Sequence, residues 1–208
     1  FDYLKNTVSV YNDYYQAFKD YKVTAEVYDL NSKKVWGKSQ KIDIPEDGVV
    51  IDIFTIDFPQ NITQVHFIKL RLFDTKGKEV ANTFYWRSND KYEGRKTLTG
   101  PTSSGFEDLS KLKQVQLKTR YQTYQEGDRH FIKAEIKNPS STVAFFTQLQ
   151  LLGQDKKPVR PSFYTDNFFS LLPGESKTVI IETAASDMPS EPTFVVKGWN
   201  IKPSSFKL

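Results

Sequence analysis

Tyr164-Thr-Asp-Asn-Phe-Phe-Ser-Leu-Leu-Pro-Gly-Glu-Ser-Lys177, followed after one apolar run by Lys197-Gly-Trp-Asn200, is the stretch from which the architecture is read. Pro173 fixes φ near the value wanted at the second position of a turn, and Gly174 supplies the positive φ that a type II turn needs next. The apolar runs at 168–172 and 177–182 on either side read as two strands joined by that turn. Outward from it, Ile132, Ala134 and Ile136 alternate with Lys133, Glu135 and Lys137. That period of two marks a strand with one buried and one wet face. Further strands are predicted at 115–121, 143–152 and 193–199, with a turn at Asn138-Pro139-Ser140.

The first half of the chain follows the same rule. Val23, Ala25 and Val27 alternate with Thr24, Glu26 and Tyr28, and Ile68, Leu70 and Leu72 with Lys69, Arg71 and Phe73. Strands are predicted over 7–12, 22–30, 34–44, 49–56, 65–73 and 79–87. They are broken by Asp29-Leu-Asn-Ser-Lys33, Pro45-Glu-Asp-Gly48, Phe58-Pro-Gln-Asn61 and Asp74-Thr-Lys-Gly77. Short strands with turns at about ten-residue spacing read as an immunoglobulin-like sandwich. Between 89 and 106 the alternation stops and Gly94, Gly100, Pro101, Ser103, Ser104 and Gly105 gather, with one helical turn expected at 108–112. No longer helix is supported, which argues against an α/β fold. The expectation is an all-β chain of two immunoglobulin-like antiparallel β-sandwich domains in tandem: 1–90, a connection over 91–109, and 110–208.

Composition narrows the function. Sixteen Phe, 11 Tyr and 3 Trp in 208 residues suit pleated sheets. With no cysteine, disulfides, thiolate metal sites and Cys nucleophiles are excluded. The net charge of +4 comes from 29 basic and 25 acidic residues with interspersed signs, whereas a nucleic-acid binder gathers its basic groups into a stripe. No apolar run approaches the roughly 20 residues that span a membrane as a helix. The chain opens at Phe1, without Met or a leader pattern, so it reads as a piece of a longer polypeptide.

Candidate sites follow from residue chemistry. Flat aromatic rings stack on sugar faces, and Trp36, Trp86, Trp199, Tyr14, Tyr15, Tyr164 and Phe169 are the candidates. Trp86 and Trp199 near domain ends are expected to close a core or seam, which leaves Trp36, just after a turn, as the sugar-stacking choice. Tyr164, Asp166, Asn167 and Phe169 put rings, an amide and a carboxylate into six residues. Such a loop can form a pocket rim, or its Asp and Asn can cap their own backbone. Glu26 and Glu135 occupy polar strand faces and are expected to be solvated; His66 and His130 are likewise read as polar-face residues. No metal-ligand spacing or phosphate loop is present, and no cofactor is expected.

Asn6-Thr-Val-Ser-Val-Tyr-Asn-Asp13, Lys22-Val-Thr-Ala-Glu-Val-Tyr-Asp29, Phe84-Tyr-Trp-Arg-Ser88, Phe106-Glu-Asp-Leu-Ser-Lys-Leu112 and the opening stretch occur in an order that resembles the two sandwich domains behind the catalytic barrel of glycoside hydrolase family 2, in its β-mannosidase and exo-β-glucosaminidase branch. Arg87 stands where that family has an apolar residue. The resemblance implies accessory domains without catalytic residues. Their partner would be the barrel of the same polypeptide, with carbohydrate as a candidate ligand and neither nucleic acid nor membrane insertion expected. Tyr164, Asp166, Asn167 and Phe169 would be candidates for the barrel's pocket rim, and the parent a bacterial periplasmic or extracellular hydrolase. The alternative is an independent carbohydrate-binding or surface-adhesion module.

Overall fold

A computed structural model describes residues 1–89 and 105–208. They form two compact units, Phe1–Lys111 and Leu112–Leu208. Among the described residues there is no α-helix. Most of the connection expected over 91–109 lies outside the described residues. Its described end carries the expected helical turn as a 3-10 helix at Glu107–Lys111 that buries Leu109.

The first unit contains β1 (Thr7–Asn12), β2 (Phe18–Asp29), β3 (Lys34–Ile44), β4 (Gly48–Thr55), β5 (Val65–Phe73) and β6 (Glu79–Ser88). A four-stranded sheet in the order β3-β2-β5-β6 and a two-stranded sheet β1-β4 are antiparallel throughout. The expected inward set Val23, Ala25 and Val27 is buried and joined by Ile42, Ile44 and Ile68; Val8 and Phe54 close the core from the smaller sheet. The hairpin turns are self-made. Asp29 and Asp74 each accept a bond on Oδ1 from the backbone N–H four residues on, Lys33 and Lys78, both at 2.8 Å. This is the Asx chemistry that makes Asp a turn former.

β5 departs from the one-wet-face expectation. Val65, His66, Phe67, Ile68 and Lys69 are all buried. The strand is central, flanked by β2 and β6, and its outer side is roofed by large rings. Phe67 packs on Phe84 at 5.5 Å, and the Lys69 ammonium lies over Phe84 while donating to Asn82 Oδ1 at 3.2 Å. The polar-face reading of His66 is corrected: it is 1% exposed. Position 66 shares the parity of Ile68, so the pleat turns it inward. His66 packs against Phe58 at 5.1 Å, Nδ1 lies 3.4 Å from the Thr63 carbonyl, and Nε2 has no partner. Arg87, the departure from the family pattern, stacks its guanidinium 4.7 Å from the centre of the Phe58 ring and donates to Asn6 Oδ1.

The second unit contains β7 (Lys118–Glu126), β8 (Arg129–Lys137), β9 (Ala144–Leu152), β10 (Phe163–Tyr164), β11 (Phe169–Leu171), β12 (Ser176–Ala184), β13 (Thr193–Lys197) and β14 (Ser204–Lys207). Its two antiparallel sheets, β10-β12-β8-β7 and β11-β9-β13-β14, enclose Ile132, Ala134, Ile136, Leu149, Leu151, Val179, Ile181, Phe194 and Val196. The Pro173-Gly174 turn forms as expected: Gly174 has φ +82°, and Glu175 N donates to the Leu172 carbonyl at 3.1 Å. The strand expected at 115–121 instead begins at Lys118, because Val115 leaves the sheet to bridge Ile201 in parallel. The strand expected to reach 199 stops at Lys197. A Cβ on Gly198 would meet Ile201 Cδ1 at 2.4 Å and the Phe146 carbonyl at 2.9 Å, so only glycine fits there.

Candidate functional site

The loop singled out by sequence joins β10 to β11 in the second unit, and most of its polar atoms are engaged within that unit. Tyr164 packs against the core, and its hydroxyl accepts a bond from Leu151 N at 3.0 Å. Burial pushes this phenol up from its ordinary value, opposed by the bonds it makes with Leu151 and Ser162. Asn167 takes the place of a strand. Its Oδ1 accepts from Leu149 N at 2.8 Å and its Nδ2 donates to Leu149 O at 3.0 Å, satisfying the edge of β9 just before β11 begins. Phe169 is buried in the core. Asp166 forms an ion pair with Lys177, and that ammonium also lies over the Phe169 ring. Tyr164, Asn167 and Phe169 therefore hold the loop, while the Asp166 carboxylate stays partly open, with its side chain 37% exposed.

Sequence reasoning missed Phe146 and Phe168. Their rings lie 5.4 Å apart, 38% and 49% exposed, and each residue has φ +57°. Bulky residues rarely adopt that left-handed backbone, which concentrates at sites where a local constraint is built in. The available signal was a pair of doublets, Phe145-Phe146 and Phe168-Phe169. Each buries one ring, Phe145 or Phe169, and presents the other. Trp199 belongs to the same end of the unit: its N–H donates to the Phe145 carbonyl at 3.0 Å. Of the two roles expected for Trp199, core or seam, the core is excluded, since it is 59% exposed. The following Asn200 is buried and clamps this end together. It accepts from Phe145 N at 2.9 Å and donates to the Lys113 and Val143 carbonyls at 2.9 and 2.8 Å.

The other candidates sit elsewhere. Trp36 in β3 is half-buried against the first unit's core, 6.5 Å from the Phe54 ring. Trp86 on β6 is partly exposed, whereas Tyr14 and Tyr15 are largely exposed. Glu135 is exposed as expected. Glu26 is not simply solvated: it accepts from Lys34, from the Tyr28 hydroxyl at 2.9 Å and from Arg71 at 2.6 Å. Desolvation pulls its carboxyl upward, but the bonds from Lys34, Tyr28 and Arg71 prevail and hold it below the ordinary value. A general acid needs the opposite shift. His130 is half-buried on β8. A depression of about 480 Å³ beside β13 and β14 is lined by Gln154, Lys156, Glu191, Thr193 and Lys207 among others, and by none of the sequence candidates. Among the described residues no cluster of three His, Asp or Glu side chains could hold a metal ion, and no helix is long and apolar enough to cross a membrane.

Residues 97–201 match the exo-β-D-glucosaminidase Ig-fold domain, and residues 5–92 match the mannosidase Ig/CBM-like domain. An exo-β-D-glucosaminidase of Streptomyces avermitilis is 26% identical over 96% of this chain and 24% of its own length. One from Hypocrea virens is 25% identical over the whole of this chain and 24% of its own. The chain thus spans about a quarter of the curated relatives it matches. The crystal structure of the exo-chitosanase of Amycolatopsis orientalis superposes with a TM-score of 0.86 at 21% identity, covering 98% of this chain and 25% of that one. A β-D-mannosidase of Dictyoglomus thermophilum superposes at 0.51 with 13% identity, covering 95% and 22%. These likenesses establish the fold. With the exo-β-D-glucosaminidase Ig-fold match spanning half of the chain and the mannosidase match lying beside it, the chain belongs to the immunoglobulin-like domains of the exo-β-D-glucosaminidase and mannosidase branch of glycoside hydrolase family 2.

Proposed function

We propose that the two sandwiches are accessory domains of an exo-β-glucosaminidase-type glycosidase, and that the β10–β11 end of the second unit packs against the catalytic barrel and contributes to its pocket rim. The domains would divide at 1–90, 91–109 and 110–208. The match over 97–201, in a chain spanning only a quarter of its relatives, carries the membership in a larger enzyme. The surface assignment is supported by Phe146, Phe168 and Trp199, three exposed rings at one end of the unit, next to the half-open Asp166 carboxylate. Exposed aromatic groups with a few polar neighbours are the usual material of interfaces and pocket walls. Asn167, Tyr164 and Phe169 shape that surface from behind by holding the loop.

The test uses the parent enzyme assayed on aryl β-glucosaminide and aryl β-mannoside. Phe168→Ala and Asp166→Ala should lower kcat/KM by about tenfold or more, a transition-state loss of roughly 1.4 kcal/mol, with little change in melting temperature. Kinetics intact in both variants would remove the rim assignment. Turnover by the 208-residue chain alone, lost on substituting one acidic residue, would overturn the accessory reading.

A further inference from the structure

The first unit carries a second aromatic surface, far more open than the one just described. Tyr11 on β1 is 78% exposed, and Tyr14 and Tyr15 in the following turn are 69% and 89% exposed. Tyr11 stands opposite Val49 of β4 in register, with Ile51 two residues on, and both are also exposed. The outer face of the β1-β4 sheet and its end turn therefore carry a strip of exposed apolar and aromatic side chains. Its turn is pinned. Asn12, buried, accepts from Tyr14 N at 3.1 Å and donates to the Gln16 and Pro45 carbonyls at 2.8 and 2.7 Å. Asp47 N donates to the Tyr14 carbonyl at 2.9 Å. Rings held on a fixed backbone lose little entropy on binding.

The charge around this strip runs against the rest of the chain. Stretches 11–20 and 43–52 hold Asp13, Asp20, Asp43, Glu46, Asp47 and Asp52 with only Lys19 against them, in a chain of net charge +4. Asp52 is engaged by Lys5 and Thr7, and Asp43 accepts from Asp20 N. Asp13, Glu46 and Asp47 have no ion-pair partner among the described residues. Open tyrosine faces beside unpaired carboxylates favour a ligand that is both flat-faced and cationic. The rings take the C–H face of a pyranose, and both the rings and the carboxylates attract a protonated amine. Nucleic acid would be repelled by these acids. An uncharged glycan or an apolar protein partner would use the rings and leave the carboxylates without a role.

We propose that this face, centred on Tyr11, Tyr14 and Tyr15 with Asp13, Glu46 and Asp47 at its edge, binds a β-linked oligomer of glucosamine with free amines. The choice of glucosamine rests on the exo-β-glucosaminidase reading above; the cationic, flat-faced ligand class rests on the surface alone. Such a site would hold the polymeric substrate near the enzyme.

The probes are the hexamer of glucosamine and the hexamer of N-acetylglucosamine, titrated calorimetrically into the 208-residue chain at low salt in mildly acidic buffer. The free-amine hexamer should bind about tenfold or more tightly than the acetylated one. Tyr14→Ala with Tyr15→Ala should weaken it by a similar factor, and Asp13→Asn, Glu46→Gln and Asp47→Asn together should erase the preference for free amines. All these side chains are exposed, and an unchanged melting temperature confirms the fold of each variant. Equal affinity for both hexamers, no binding, or binding indifferent to the tyrosines overturns the proposal. The parent's hydrolysis of aryl β-glucosaminide is measured alongside. An active parent whose accessory chain fails to bind overturns this inference alone. A parent active only on mannoside overturns the glucosaminidase reading, and the titration still decides the face.

Discussion

Both sandwiches clamp a turn with a buried asparagine, Asn12 in the first unit, but they differ in what else they leave open. The second unit folds its asparagines inward as clamps. Asn138 is fully buried and bonds to the Thr142 and Leu171 carbonyls while accepting from the backbone and hydroxyl of Ser140, and Asn200 ties Phe145, Val143 and Lys113 together. The first unit closes with only a two-stranded sheet over its core. It buries a histidine with an unpartnered nitrogen and leaves tyrosines and carboxylates facing outward. Polar side chains bonded to backbone fix a shape; polar and aromatic side chains left open are free for a ligand. The difference predicts that substitutions at the second unit's buried asparagines act on stability and that those at the exposed residues of the first unit's tip act on binding.

The comparison breaks most easily at Asn138. Removing its amide takes a partner from the buried Leu171 carbonyl, from the part-buried Ser140 N–H and from the Thr142 carbonyl, which keeps Ser140 Oγ; a buried group left unpaired costs about 1–3 kcal/mol. Asn138→Ala should destabilise the second unit by about 4 kcal/mol, read from the denaturant midpoint. A loss below about 1 kcal/mol would show that the clamp merely accompanies the fold.

His66 sharpens the contrast from the other side. Burial lowers its imidazole to about 4, and the Arg87 charge pushes the same way against the Thr63 bond. The unfolded chain titrates near 6.5, so between about 6.5 and 4 it binds more protons than the folded one. The stability tied to neutral His66 is present above 6.5 and is lost as pH falls through that window, by up to about 3 kcal/mol at its lower end. Melting temperature followed from pH 7 to 4 should therefore fall for the native chain and flatten in His66→Leu. Parallel curves would refute a neutral, buried imidazole.

How far the sequence carried the reading depended on how local each signal was. Pro173-Gly174 and the Asp29 and Asp74 turns are set by residues within four positions, and they form as read. The alternation over Val23, Ala25 and Val27 is likewise local, and so are the β3 and β5 limits, 34–44 and 65–73, which the structure keeps. His66 was legible by its parity with Ile68, and treating histidine as a polar-face residue overrode that. Asn167 was not legible, because its partner Leu149 lies 18 positions back on another strand. β14 was missed because Ser204-Ser-Phe-Lys207 has a single ring for signal, and β10 because two residues cannot show a period. Glu26 looked solvated because the cations that hold it, Lys34 and Arg71, come from neighbouring strands.

The smallest stability effects separate the two loops directly. Asn167→Ala removes the side chain that completes the edge of β9 and should cost about 1–2 kcal/mol, as loss of a side-chain cap does. Tyr15→Ala, at a ring 89% exposed, should change stability by less than about 0.5 kcal/mol, because an exposed substitution away from any cap or core contact leaves nothing unpaired. Measured together by denaturant unfolding, the pair decides whether the loops differ in kind. If Tyr15→Ala costs as much as Asn167→Ala, the tyrosine turn is part of the first unit's packing rather than an open surface, and both the comparison and the ligand face built on it fail. If Asn167→Ala is silent, the β10–β11 loop is held by Tyr164, Phe169, the Thr165–Ile180 bonds and the Asp166–Lys177 pair. In that case the amide, freed of a structural duty, joins Asp166 among the groups able to face the barrel.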